Sequence, residues 1–336
     1  MSEPAGFPWA AGSATGIGSL PGTDIVEAVR LVLGELPDLP HLPELPARGP
    51  GADIIGRTAG FLVDLPVELY AGRWRVASRP GRDLRRIRDL AERDIDALTG
   101  AADGFAGPVK LQVAGVWTMA ASLELPGGGP LLRDPGAVRD LTASLAEGVR
   151  AHVSTVATRL PGATVLLQLD EPSLPAVLAG HVPTESGFGA LAPVPDADAA
   201  GALRSIVDSA GAPVLVHCCA DSVPVRLLRD TGACAVAIDL DLVGDLDALG
   251  EMLDAGLGLL AGAVPTRPPS VGAAPSAAST ADRVRRLWRD LSLPADRMPE
   301  QVVVTPACGL AGATPEYARA ALTACREAGR RLVGEA

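Results

Sequence analysis

The sequence predicts an α/β protein of the (β/α)8 TIM-barrel class, and three observations predict it. Short apolar runs alternate with longer segments of helical periodicity, the pattern of repeated βα units on a parallel sheet. Eight such runs occur, around residues 15–20, 39–45, 109–115, 164–169, 213–219, 235–240, 258–264 and 302–307. The composition, 48% hydrophobic but only 3% aromatic, describes a core of Val, Leu, Ile and Ala, the residues that fill parallel barrels. A length of 336 residues suits one barrel with insertions. With no internal repeat and no linker, residues 1–336 are expected to form a single domain.

The intervening helices are expected, in order, over Asp24 to Leu36, Leu84 to Ala102, Pro135 to Leu160, Asp198 to Ala210, Val223 to Thr231, Asp245 to Ala255, Ala281 to Leu291 and Thr314 to Gly329. Each carries apolar residues at helical spacing. Asp24 and Thr314 are N-cap residues by type, and Pro315 suits a first helical turn. Ala47 to Arg79 is expected to hold a further helix in an excursion over the barrel mouth. Pro268 to Ser279, rich in Pro, Ala and Ser, reads as a loop after the seventh strand, placed to act as a lid.

The formal net charge is −11, and a single lysine, Lys110, stands against 28 arginines in the total of 29 basic residues. That balance argues against a nucleic-acid partner, since binding a phosphate backbone needs a concentrated basic surface. Met1 to Ala10 has no basic n-region or long apolar stretch, and no window of 18 residues is uninterruptedly apolar, so a cytoplasmic location without membrane association is expected. Five cysteines, two of them adjacent, make a poor disulfide framework.

Barrel active sites form at the C-terminal ends of the strands. The fifth run, Val214-Leu215-Val216-His217-Cys218-Cys219, ends in a histidine and a cysteine two residues apart, which strand alternation turns to the same face while Cys218 points away. Such a pair suits zinc; taken alone, the segment is equally explained as a packed strand with buried cysteines. The sixth run ends in Asp239, with Asp241 on the same face, and the eighth leads to Cys308-Gly309. Facing one another across a barrel mouth, His217, Cys219, Asp239 and Cys308 make a zinc-type N, S, O, S set. Cys218, Cys234 and Cys325 read as packing residues.

With those motifs goes a resemblance. Ile17-Gly18-Ser19-Leu20-Pro21, Gln168-Leu169-Asp170-Glu171-Pro172, His217-Cys218-Cys219 and Pro306-Ala307-Cys308-Gly309-Leu310 match, in order and spacing over nearly the whole chain, the catalytic barrel of cobalamin-independent methionine synthases. The resemblance implies Zn2+ as cofactor and S-methylation of homocysteine, with Asp170 as the catalytic residue that anchors the substrate ammonium and Ile17 and Ser19 completing the substrate pocket. The methyl donor would be methyl-tetrahydrofolate or a methylated corrinoid. A methyltransferase acting on another small thiol or on a corrinoid protein, and a noncatalytic zinc-binding barrel, are the rival readings.

The chain also departs from the family. The family's carboxylate ligand is Glu, where Asp239 stands here, with Asp241 as its competitor. A second acidic residue that contacts homocysteine falls near Pro50, leaving Glu44 as a spatial substitute, and another falls at Ala176. The proton-donor histidine falls near Arg267, and a guanidinium is a poor proton donor. The folate-contacting tryptophan falls near Ser122, with Trp117 close by.

Overall fold

The structure, a computed structural model, describes residues 6–268 and 273–334. Six parallel strands form its sheet in sequence order: β3 (Pro108–Ala114), β4 (Thr164–Asp170), β5 (Val214–Cys218), β6 (Ala235–Asp239), β7 (Gly258–Val264) and β8 (Val302–Pro306). A separate antiparallel hairpin, β1 (Val67–Tyr70) and β2 (Arg73–Val76), precedes them.

The first two expected strands complete the ring only through isolated bridges. Ala14 pairs with Val304, Ser19 with Glu44, and His41 with Lys110, all parallel. Backbone hydrogen bonds carry this closure: Thr15 N to the Val304 carbonyl (3.1 Å), Leu20 N to Glu44 (2.9 Å) and Lys110 N to Pro40 (2.8 Å). Proline explains the interrupted pairing, since Pro37, Pro40, Pro43 and Pro46 remove a ladder donor at every third residue. Gly16 and Gly18 bring the first segment close to its neighbours, for a Cβ there would meet the His41 ring and, at 3.0 Å, the Gln112 side chain.

Strand alternation sorts the core into two clusters. Outward residues such as Val109, Leu111, Leu167, Val216, Val236 and Val304 join the layer between sheet and helices. Leu166, Leu215, Ala235, Ala237, Leu260 and Val303 pack inside the barrel with Ile17 and Leu39. Two residues further along the same inward faces come Gln168 and His217, and then Asp170 and Cys219, so the apolar barrel floor gives way to polar side chains toward the mouth.

The helical ring comprises α1 (Ile25–Glu35), α2 (Ile54–Phe61), α3 (Arg82–Ala101), α4 (Val116–Ser122), α5 (Pro135–Arg159), α6 (Leu174–Leu178), α7 (Asp196–Ser209), α8 (Val225–Arg229), α9 (Leu246–Asp254), α10 (Ala277–Asp290), α11 (Met298–Gln301) and α12 (Pro315–Gly334). Asp24 caps α1 by accepting from the Val26 and Glu27 amides, and Thr314 accepts from Tyr317 N. Helix α10 begins earlier than expected because Ser276 caps it through Ser279 N. The loop expected over Pro268 to Ser279 therefore ends at Ser276, and its residues 269–272 lie outside the described residues. The excursion between the second and third strands is α2 and the hairpin; α2 packs against α3, α5 and β3, and Thr58 accepts the Ala114 amide at the end of β3. Among the described residues no helix is long and apolar enough to cross a membrane.

Candidate metal centre

His217, the fourth residue of β5, faces inward and is almost completely buried. Cys219 follows on the same side, while Cys218 is fully buried in the opposite direction. Cys308 lies just past β8, where the Leu310 amide donates to the Ser19 carbonyl (2.8 Å) and fixes the turn. The result is a three-residue cluster, His217, Cys219 and Cys308, with candidate ligand atoms all within 4.8 Å of one another. The two sulfurs stand 2.9 Å apart as free cysteines.

Electrostatics set these groups apart. A hydrogen bond from Cys219 and the charge of the neighbouring His217 imidazole hold the Cys308 thiol well below its usual range, against the opposing effect of burial. Cys219 moves the other way, since it holds the shared proton and is buried beside the Cys308 charge. Burial also resists a charge on His217, but Asp170 and Cys308 outweigh it and raise the imidazole to about 9.

The cluster suits a zinc ion. His217 Nδ1 is held by Asp170 Oδ1 at 2.7 Å, while its buried Nε2 has no hydrogen-bond partner. That is the carboxylate–histidine arrangement that fixes a ring and leaves its other nitrogen for a metal. With two sulfurs beside that nitrogen, the three donors of the cluster are of the types that hold zinc.

Asp239 is not brought into this three-residue group. It ends β6 half-buried, its Oδ1 accepting from the Asp241 amide at 2.9 Å. Burial raises its carboxyl, and the charges of Asp241 and Cys308 add to that, so it lies within electrostatic reach of the cluster. Asp241 is exposed and paired with Arg283.

The residues expected on the substrate side surround the cluster unevenly. Asp170, buried, accepts from both His217 and Gln168 (2.7 Å) on Oδ1. The Ile17 carbonyl is taken by Lys110 (2.9 Å) and Gln168 (2.8 Å). The Ser19 hydroxyl abuts Gly309, where even a methyl group would collide with it. Glu44, buried at the end of the second segment, lies 3.3 Å from the Arg57 guanidinium and within electrostatic reach of Asp170.

Glu171 turns away from the mouth. It accepts from the Trp117 and Thr118 amides (3.0 and 2.8 Å) and the Thr118 hydroxyl, capping α4. Trp117 is buried with its indole donating to the Ala199 carbonyl of α7, away from solvent. Arg267 is exposed, its guanidinium 3.3 Å from where a Cβ on Gly312 would stand, in the loop after Cys308.

Comparison with known proteins gives the family. The family model described as the catalytic domain of cobalamin-independent synthase matches residues 12–331. The chain belongs to that family. It is accordingly a methyltransferase of the methionine synthase type, and the family as a whole is zinc-dependent. Among solved structures, a B12-independent methionine synthase from Shewanella sp. W3-18-1, in complex with selenomethionine, shares 12% identity with a TM-score of 0.63, covering 97% of this chain and 99% of the other. A GH5_18 protein from Streptomyces cattleya in complex with GlcNAc is 17% identical at a TM-score of 0.47, covering 97% and 82%. No curated protein matches.

Proposed function

We propose that this family member transfers a methyl group to the thiol of homocysteine at a zinc centre held by His217, Cys219 and Cys308, with Asp239 as the fourth protein ligand. The observation that carries this reading is the convergence of two cysteines, just past β5 and β8, on a histidine whose buried Nε2 has no hydrogen-bond partner. A zinc ion held there would keep a substrate thiol in its nucleophilic thiolate form at neutral pH. Asp170 orients His217 through Oδ1 and offers its remaining oxygen to the substrate ammonium. Ser19 lies beside Gly309, the residue whose amide reaches the Cys308 sulfur, and lines the same mouth. The selenomethionine bound by the Shewanella protein, an amino acid ending in a methylated chalcogen, supports a product of this shape.

The donor side favours a methylated corrinoid over methyl-tetrahydrofolate. A folate leaving group needs a proton, and none of the four histidines stands at the end of β7. His41 and His152 are buried, His181 is on the far loop after α6, and His217 belongs to the cluster. The rival readings, another thiol acceptor, a corrinoid-protein substrate or a noncatalytic zinc protein, are separated from this one by the same experiment. Zinc stoichiometry and zinc K-edge absorption are measured with and without homocysteine, on wild type and on Cys308→Ala. One zinc with two sulfur neighbours, a third sulfur on adding homocysteine, and one fewer in the variant is the expected result; a site indifferent to homocysteine removes it as the acceptor. Turnover with methylcobalamin but not methyl-tetrahydrofolate is expected, and the reverse overturns the donor assignment.

A further inference from the structure

The only lysine of the chain is completely buried inside the barrel. Lys110 lies on β3 two residues before Gln112, and the parallel register sets Gln112 beside Gln168 and Ala114 beside Asp170. Its Nζ meets three oxygens: the Ile17 carbonyl at 2.9 Å, Gln168 Oε1 at 2.8 Å and Gln112 Oε1 at 3.3 Å. An ammonium has three protons to donate and accepts nothing, so its capacity is filled. A glutamine that turns its oxygen to Nζ must send its amide nitrogen the other way.

Both amide nitrogens lead toward carboxylates. Gln168 Nε2 donates to Asp170 Oδ1 at 2.7 Å and to Ile17. Gln112 Nε2 donates to the Leu42 carbonyl and reaches Glu44 Oε1 at 3.4 Å. One buried cation therefore sets the orientation of two carboxamides, and through them the two buried carboxylates on this side of the mouth. We propose that Lys110 is a positioning residue for substrate binding, locking Gln168 and Gln112 so that Asp170 and Glu44 present oxygens to the ammonium group of an amino-acid substrate.

Charge supports this assignment. A buried ammonium is costly unless something compensates it, and an apolar side chain would fill the same space. Burial lowers Lys110 to about 7, and the opposing influences are the Asp170 and Glu44 carboxylates. Among the described residues His41 also faces it, kept neutral by burial and by Lys110 itself, while Arg57 on the far side of Glu44 pairs with that carboxylate. An arriving ammonium thus meets two carboxylates whose oxygens are already aimed.

The identity of the amino acid rests on the homocysteine reading; the contacts of Lys110 do not. Calorimetry on the zinc-loaded protein compares homocysteine with 4-sulfanylbutanoate, the same chain without the amino group, in wild type, Lys110→Met and Gln168→Met. Both variants should bind homocysteine at least tenfold more weakly and the deaminated thiol within twofold of wild type. Equal weakening of both ligands, or of neither, overturns the proposal. Gln168→Met keeps the lysine and carries the comparison if Lys110→Met does not fold. Without any thiol, a protein labelled at lysine gives one Nζ resonance, which should titrate lower in Asp170→Asn than in wild type. Coincident titrations overturn the positioning role; a wild type that binds neither thiol overturns the homocysteine reading and leaves the lysine titration to decide.

Discussion

At the scale of single residues, strand alternation made the candidate metal cluster legible. Period two alone turns His217 and Cys219 inward and Cys218 outward, and the structure agrees. Asp239 was legible as a strand-end carboxylate, but its distance from the sulfurs depends on how β6 and the Asp241 turn sit, which no local pattern encodes. Lys110 was visible only as an oddity of composition, because its partners come from three separate segments. Gly309 shows how a residue with no chemistry of its own shapes the site. A Cβ there would collide with the Ser19 hydroxyl, so Gly309→Ala should push Ser19 aside while leaving both sulfurs in place. We expect zinc stoichiometry unchanged and homocysteine KM raised roughly tenfold, about 1.4 kcal/mol of binding. An unchanged KM would remove Ser19 from the pocket.

At the scale of elements, the long helices were legible because each repeats an apolar stripe over several turns, whereas α4 and α6 are too short to show one. Helix α4 exists because Glu171 reaches across from the end of β4 to its first amides. In the Asp170-Glu171 pair one carboxylate holds His217 and the other holds α4, a division that the motif alone does not reveal. Glu171→Ala would strand the buried Trp117 and Thr118 amides at about 1–3 kcal/mol per donor, while Glu171→Gln, which keeps an acceptor oxygen, should lose less by urea denaturation. The packing of α2 on α5 offers a second test. Gly148 admits the Phe61 carbonyl, and the Phe61 ring stacks on His152 with centroids 4.1 Å apart. Burial, assisted by Arg57, lowers His152 to about 3 from 6.5. Only the unfolded chain then takes up this proton between pH 6.5 and 3, so stability falls as pH drops through that window, by up to about 1.4 kcal/mol per unit. Urea midpoints from pH 7.5 to 5 should fall less steeply for His152→Leu than for wild type; parallel curves would show that His152 is not neutral in the fold.

At the scale of the whole molecule, the eight-fold repeat was legible in the apolar runs, but the quality of closure was not. Whether a run becomes a full strand depends on hydrogen bonds to a neighbour distant in sequence, and the prolines of the second segment spend their backbone nitrogens elsewhere. The barrel therefore consists of six well-laddered strands and two segments tacked between β8 and β3. Those segments carry Ile17, Ser19 and Glu44, on the side of the mouth proposed for the substrate, while β5 carries His217 and the turns just past β5 and β8 carry Cys219 and Cys308. Local opening follows the weakest pairing, so the two halves of the site should come apart in order. Amides of Thr15, Leu20 and Leu42 should exchange faster than those of Leu167 and Val216 in the middle of β4 and β5. In a urea series on the zinc-loaded protein, homocysteine affinity should disappear at a lower concentration than bound zinc, because the closing segments can lift away while the strands leading to the candidate ligands stay paired. Loss of both at one midpoint, with uniform amide protection, would instead mean that the two bridged segments unfold only with the entire barrel.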